Sequence, residues 1–275
     1  QINILISGVI ASMLGIGKIS LLYYSDRIME LPLSLFGIAL ATVTMPFLSS
    51  QYAQKSMEKF AEVIDWSMRL VFLFVVPAAI GIFLLAEPMI AVIYYGGMFD
   101  QTNVEMTALS LKAFSIGLIG FSFVKILSPA YFAREDTKTP VKVGLICLML
   151  NLVLGISFAY YLTQLNYPGA HAGLALAISI AASLNAFLLY IGLRKNKIIQ
   201  SGKNWLSFLF KIAIANFSMF ICLSFFEQPL SWWISLELLH RSFWLLLAIV
   251  TSMLVYFSAL FLSGIKLDIL KFKSD

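Results

Sequence analysis

The chain has 275 residues, 60% of them hydrophobic and only 12% charged, whereas soluble domains carry roughly 25% charged residues. Apolar runs of 18 or more residues recur too often for one soluble core and read as membrane-spanning helices, so the expected fold class is an all-α integral membrane protein. The net charge of +5 follows from how Lys and Arg divide between the two sides of the membrane. It gives no ground for a nucleic-acid partner.

Eight spans are expected in chain order, at about 1–22, 27–51, 67–95, 105–130, 140–162, 171–193, 204–226 and 241–263. Each is long enough to cross a hydrocarbon layer of about 30 Å at 1.5 Å per residue. Helix already reads from Gln1, without an initiator Met or a signal-peptide pattern, so further sequence upstream is expected. Between the second and third spans, Phe60, Val63 and Ile64 recur at helical spacing against Lys59, Glu62 and Asp65. That is either an amphipathic helix at the interface or a connector with its apolar face on the bundle. Tyr94–Asp100 and Asn166–Gly169 read as turns, and Tyr94, Tyr95, Trp232 and Trp233 as an aromatic belt.

One side collects fourteen of the nineteen basic residues: Lys55, Lys59 and Arg69; Arg134, Lys138 and Lys142; Arg194, Lys195, Lys197, Lys203 and Lys211; Lys266, Lys271 and Lys273. The opposite side has Lys18, Arg27, Lys112 and Arg241. The excess marks the cytoplasmic side, so both ends of this segment are expected in the cytoplasm.

The sequence Ser25-Asp26-Arg27-Ile28-Met29-Glu30-Leu31-Pro32 puts three charges within five residues, between apolar runs. An ionised side chain at the bilayer centre costs about 2.5–3.5 kcal/mol on insertion scales, so the cluster needs pairing, water or a charged ligand. Expected at the outer end of the second span, it is either an interfacial anchor or a cavity-facing site. In the second case the planar donor fork of Arg27 suits phosphate or carboxylate, with Asp26 and Glu30 orienting it. Lys125, deep in the fourth span, either snorkels to the interface or adds a second cation to a cavity. Arg134, in the loop 129–140, belongs to a topology-setting turn or contacts a headgroup as a gate. In that loop Thr139-Pro140 suits a helix start, with Thr as the cap.

No catalytic constellation appears, so an enzyme is not expected. His171 and His240 each stand near the outer start of a helix, as interfacial or capping residues. Cys147 and Cys222 fall in apolar runs as small buried hydrophobes. Neither zinc spacing nor a Gly-rich phosphate loop is present, and no cofactor is expected.

Tyr23–Pro32 followed by Gly37–Thr42, then Asp65-Trp66, Tyr95-Gly96, Val124–Pro129, Tyr131–Lys142 and His171–Leu176 together resemble the MurJ (MviN) family of lipid II flippases. The likeness is dense over 1–197 and thin beyond. It implies a fourteen-helix transporter of the multidrug/oligosaccharidyl-lipid/polysaccharide superfamily, with two pseudo-symmetric six-helix lobes around a central cavity and two additional helices. Residues 1–197 are then the carboxy-terminal lobe, and 198–275 the two additional helices, forming a groove for the lipid tail. The resemblance assigns the headgroup contacts to Arg27, Asp26, Glu30 and Lys125. The implied partners are lipid II (a polyprenyl diphosphate-linked disaccharide peptide), membrane lipids and the missing amino-terminal lobe. Some relatives hold sodium with helix carboxylates in this lobe, but spans one, five and six have no interior Asp or Glu, and Asn151 with Asn185 would make a weak site. Alternatives are an exporter of another lipid-linked oligosaccharide or of a drug on the same fold, and a non-transporting membrane scaffold.

Overall fold

The computed structural model describes residues 2–15, 17–165, 167–199 and 204–265, with side chains from Ser7 onward. Asn166, Lys203, Lys266, Lys271 and Lys273, which entered the turn and orientation readings, lie outside the described residues. The described chain is helical apart from its connections and one isolated backbone bridge between Gly96 and Phe99. Seven of its helices are long and apolar enough to cross a membrane.

Helix α1 (Ile2–Met13) ends at a break where Gly15 and Gly17 take φ of +126° and +83°, a backbone region that glycine enters without steric cost. Its 12 described residues cover about 18 Å. Helix α2 (Lys18–Pro32) then runs without interruption through a π-helical segment (Leu33–Ile38) into α3 (Ala39–Ala53). The expected break between 22 and 27 is therefore absent. Tyr23–Asp26 contains no helix breaker, whereas the two glycines stand earlier. The Asp26–Glu30 cluster thus sits well inside a 36-residue helix, not at its end.

Helix α4 (Met57–Leu84) absorbs the expected connector. Phe60, Val63 and Ile64 are fully buried and pack with Leu48, Leu127, Leu189 and Ile198. The amphipathic stretch is thus the first part of a bundle helix and does not lie flat at an interface. The third span breaks at Leu85, and the short α5 (Ala86–Tyr94) carries Pro88 in its first turn, where a missing N–H costs no helical bond.

Helices α6 (Gln101–Phe132), α7 (Lys138–Gln164) and α8 (Ala170–Lys195) complete the first body of the bundle. Asp100 caps α6 by accepting from the Asn103 amide at 2.8 Å. Helices α6 and α8 approach closely because small residues meet there. A Cβ on Gly117 would lie 2.6 Å from the Ser179 backbone, and one on Gly120 2.7 Å from that of Ser183. Such contacts let membrane helices gain dispersion energy where lipid offers no hydrophobic drive. The Ser179 hydroxyl adds a hydrogen bond to the Ala113 carbonyl, 2.8 Å.

Helices α9 (Trp205–Ser224), α10 (Leu230–Ser235) and α11 (Leu238–Leu262) follow. Trp233, read as a belt residue, is instead buried against the bundle. Outward faces stay apolar, with Leu145, Met149, Val153 and Tyr160 on α7 and Phe210, Phe217, Phe243 and Phe261 on α9 and α11. Surfaces of that extent suit a lipid solvent.

Candidate functional site

Helix α2 has two faces. Leu21, Leu22, Ser25, Ile28 and Met29 are buried against the bundle, and the Ser25 hydroxyl folds back onto the Leu22 carbonyl at 2.8 Å. Tyr23, Arg27, Glu30 and Leu31 form the open face at helical spacing. There Arg27 Nη1 donates to Glu30 Oε2 at 2.9 Å, with the two side chains 52% and 50% exposed. The guanidinium also lies 4.6 Å from the Tyr23 ring centroid. Asp26 is half-buried one residue away and feels both charges.

Magnitudes decide what this arrangement does for the fold. A half-exposed ion pair contributes about 0–1 kcal/mol, less than the cost of one charge at membrane depth. Stability therefore gives no reason for the cluster. A planar, pre-oriented guanidinium on an open helix face is equipped to take a phosphate or carboxylate in two parallel hydrogen bonds.

Immediately beyond the cluster, the π-helical segment begins after Pro32. π segments inside α-helices frequently mark functional sites. Its Gly37 is buried, and a Cβ there would lie 3.6 Å from Lys125 Cγ and 3.8 Å from Ser122 Oγ. Lys125 thus runs its stem along this helix, with its side chain exposed. Ten residues separate Arg27 from Gly37, on the order of 15 Å along the helix. Lys125 also lines a cavity of about 680 Å³ between α6, α7 and α8, together with Asn185, Val141 and Leu145.

The structure thus brings Asp26, Arg27 and Glu30 together and sets Lys125 apart from them. Arg134 is farther still, half-buried in the loop after α6, with its Nη1 buried and no hydrogen-bond partner for that atom among the described residues. Next to it, Asp136 accepts from the Thr139 hydroxyl at 2.7 Å and the Thr139 amide at 3.0 Å. These two bonds, helped by the Arg134 charge, hold the Asp136 carboxyl below the usual carboxylate range. Thr137 occupies the cap position of α7 without a side-chain bond, and Asp136 just before it accepts from Thr139, so Thr139 is a donor to the helix start and not its cap. Thr139 already lies inside the helix and cannot precede it.

His171, the second residue of α8, does not cap it: it is fully buried, with Nε2 3.0 Å from the Met106 carbonyl, and joins α8 to α6. His240 is exposed, 4.0 Å from Glu237. Cys147 is buried, and Cys222 is half-buried.

Sequence reasoning missed the residues that tie the last helices to the bundle. Arg241 is 4% exposed and donates to the carbonyls of Trp233 (2.9 Å), Leu236 (2.9 Å) and Ala91 (2.8 Å), stacking on Tyr95 at 4.9 Å. It therefore closes the carboxy-terminal ends of both α10 and α5, where exposed carbonyls attract a cation. The signal in the sequence was a lone arginine near the start of an apolar helix. Asp65 accepts from the Trp205 indole and from Arg69 Nε, the latter at 2.8 Å. Lys112 pairs with Glu87 at 2.7 Å.

Residues 1–244 match the family model described as "Lipid II flippase MurJ". The chain is 39% identical to the probable lipid II flippase MurJ of Haemophilus influenzae, over 97% of this chain and 52% of that protein. It is 38% identical to the probable lipid II flippase MurJ of Vibrio cholerae, over 98% of this chain and 50% of that one. A solved structure described as "Lipid II flippase MurJ, inward closed conformation" aligns with a TM-score of 0.75 and 25% identity, covering 94% of this chain and 50% of that chain. The chain spans about half the length of these relatives. Its helices, its matched residues and these identities agree: the chain belongs to the MurJ family of lipid II flippases.

Proposed function

We propose that this chain supplies the second half of a flippase that carries lipid II across the bacterial cytoplasmic membrane by alternating access. Residues 1–197 form the carboxy-terminal lobe, residues 198–275 the two additional helices beside the lipid tail, and an amino-terminal lobe faces the cluster on α2. Both ends of the segment lie in the cytoplasm, in keeping with the excess of Lys and Arg on that side.

The observation that carries this reading is the half-exposed Arg27, held by Glu30 at 2.9 Å on the open face of α2. A diphosphate headgroup cannot cross hydrocarbon unaided, and a water-accessible guanidinium replaces part of its hydration. Glu30 and Asp26 compensate the Arg27 charge while the site is empty, and the headgroup phosphates displace Glu30 when they arrive. Lys125, roughly 15 Å further along the helix, serves as a second cation on the path, and Arg134 as a contact at the cytoplasmic mouth. Moving net negative charge outward gains about 2.3 kcal/mol per charge per 100 mV, inside negative, so the membrane potential contributes to the drive.

In the full-length protein, Arg27→Ala is expected to abolish rescue of a flippase-depleted strain while the protein accumulates to its normal level. Full rescue by that variant contradicts the binding role.

A further inference from the structure

We propose that the cleft between α4, the first turn of α9 and the end of α11 binds a phosphate-bearing anion, with a phospholipid headgroup as its source in the membrane. The cleft has a volume of about 270 Å³ and is lined by Arg69, Ser207, Phe208, Lys211, Gly264 and Ile265. At roughly 30 Å³ of liquid per water molecule, it has room for a phosphate and its ester arms. The site lies away from the cluster on α2 and does not depend on the role proposed for Arg27.

Two cations from different helices meet here. Arg69 is positioned by its Nε bond to Asp65, 2.8 Å, and by stacking 4.8 Å from the Trp205 ring and 5.1 Å from the Phe208 ring. Lys211 Nζ stands 3.7 Å from where a Cβ on Gly264 would be, so the ammonium reaches the end of α11. That helix end is already closed. Gly264, at φ +77°, turns the chain so that the amides of Ser263, Gly264 and Ile265 return to the carbonyls of Ala259, Phe261 and Leu260. The end of α11 therefore does not require Lys211 as a cap. Among the described residues Lys211 makes no ion pair. The Asp65 carboxylate that holds Arg69 is shared with the Trp205 indole.

The neighbours favour a lipid over free phosphate. Ser207 lines the cleft, and Leu206 and Leu262, 86% and 84% exposed, stand one and two positions before the lining residues Ser207 and Gly264. A charged headgroup with acyl chains matches that pairing, and free phosphate leaves the leucines unused. Basic pockets of this kind between spanning helices on the cytoplasmic side suit anionic headgroups.

The test uses the full-length protein in detergent, with retained lipids counted by native mass spectrometry after addition of phosphatidylglycerol or phosphatidylcholine. Wild type is expected to retain phosphatidylglycerol in preference. Lys211→Gln is expected to weaken that retention about fivefold, the effect of one cation at an anionic surface, while Lys211→Arg restores it. A parallel titration with sodium phosphate separates the sources. Failure to displace the lipid supports a headgroup site, and displacement at matched ionic strength assigns the same cleft to free phosphate. Equal phosphatidylglycerol retention by wild type and Lys211→Gln overturns the proposal. Detergent carries no sidedness, so neither result depends on the orientation proposed above or on the role of Arg27.

Discussion

The Tyr256 hydroxyl donates to the Leu73 carbonyl at 2.7 Å, across 183 residues of sequence and from one buried position to another. This bond fastens α11 to α4 between two buried side chains, where no water competes for the carbonyl. Tyr256→Phe leaves the ring packing intact and removes only the hydroxyl. The expected loss is about 1 kcal/mol, the net worth of one hydrogen bond, read as a lowered unfolding midpoint in detergent.

Arg241 holds the other end of α11. Arg241→Met fills similar volume but removes the bonds of 2.8–2.9 Å to the carbonyls of Trp233, Leu236 and Ala91, of which Trp233 and Ala91 keep only the longer bonds from the Leu236 and Tyr95 amides, 3.4 Å and 3.3 Å. Losing the Arg241 donor to Leu236 costs roughly 1–3 kcal/mol, and the two weakened carbonyls add to it. This variant is therefore expected to destabilise more than Tyr256→Phe in the same unfolding measurement. An Arg241→Met protein as stable as wild type contradicts the clamp.

Two glycine substitutions give opposite outcomes on neighbouring helices. A Cβ at Gly117 meets Ser179 at 2.6 Å or less, whereas one at Gly144 on α7 meets nothing within 4 Å. Gly117→Ala is expected to cost about 1–3 kcal/mol from overpacking, and Gly144→Ala to be neutral or gain up to about 1 kcal/mol from helix propensity. Thermal unfolding of the two variants beside wild type checks the contrast.

The Asp136 contact at the start of α7 predicts a pH dependence. Folding lowers the Asp136 carboxyl below its ordinary 3.8, chiefly through the Thr139 hydroxyl and amide. Its stabilisation is thus fully present above that ordinary value and is lost as pH falls through the lower folded value. Asp136→Ala is expected to cost about 1 kcal/mol at neutral pH, typical of a helix cap. The gap from wild type is expected to narrow as pH falls below about 4, measured by unfolding across that range.

Much of this was legible in the sequence because lipid constrains it so strongly. Apolar runs of about 20 residues have few alternatives to a spanning helix, so the later spans emerged within a few residues of their observed bounds. The early boundaries moved because apolar length alone does not place a break. Gly15 and Gly17 end α1, while nothing at Tyr23–Asp26 does. Phe60, Val63 and Ile64 showed that one face was apolar, but only tertiary packing revealed that the face meets Leu48 and Leu189 and not lipid. At the candidate site, helical spacing alone placed Arg27 and Glu30 on one face. The distance of Lys125 from them depends on how α6 packs beside Gly37, which no local pattern encodes. The role of Arg241 was missed for a related reason: its partners are backbone carbonyls, and carbonyls leave no signature in a sequence.

The proposed contact between Arg27 and the diphosphate of lipid II is open to direct measurement. It is tested most directly by the affinity of the full-length protein for lipid II and for a monophosphate analogue with the same tail and saccharide, each measured for wild type and for Arg27→Ala. Wild type is expected to prefer the diphosphate, and Arg27→Ala to lose about 1.5–3 kcal/mol of binding to lipid II, the worth of a charge-assisted contact, with much less lost for the monophosphate. Equal losses for both ligands, or none for either, contradict it.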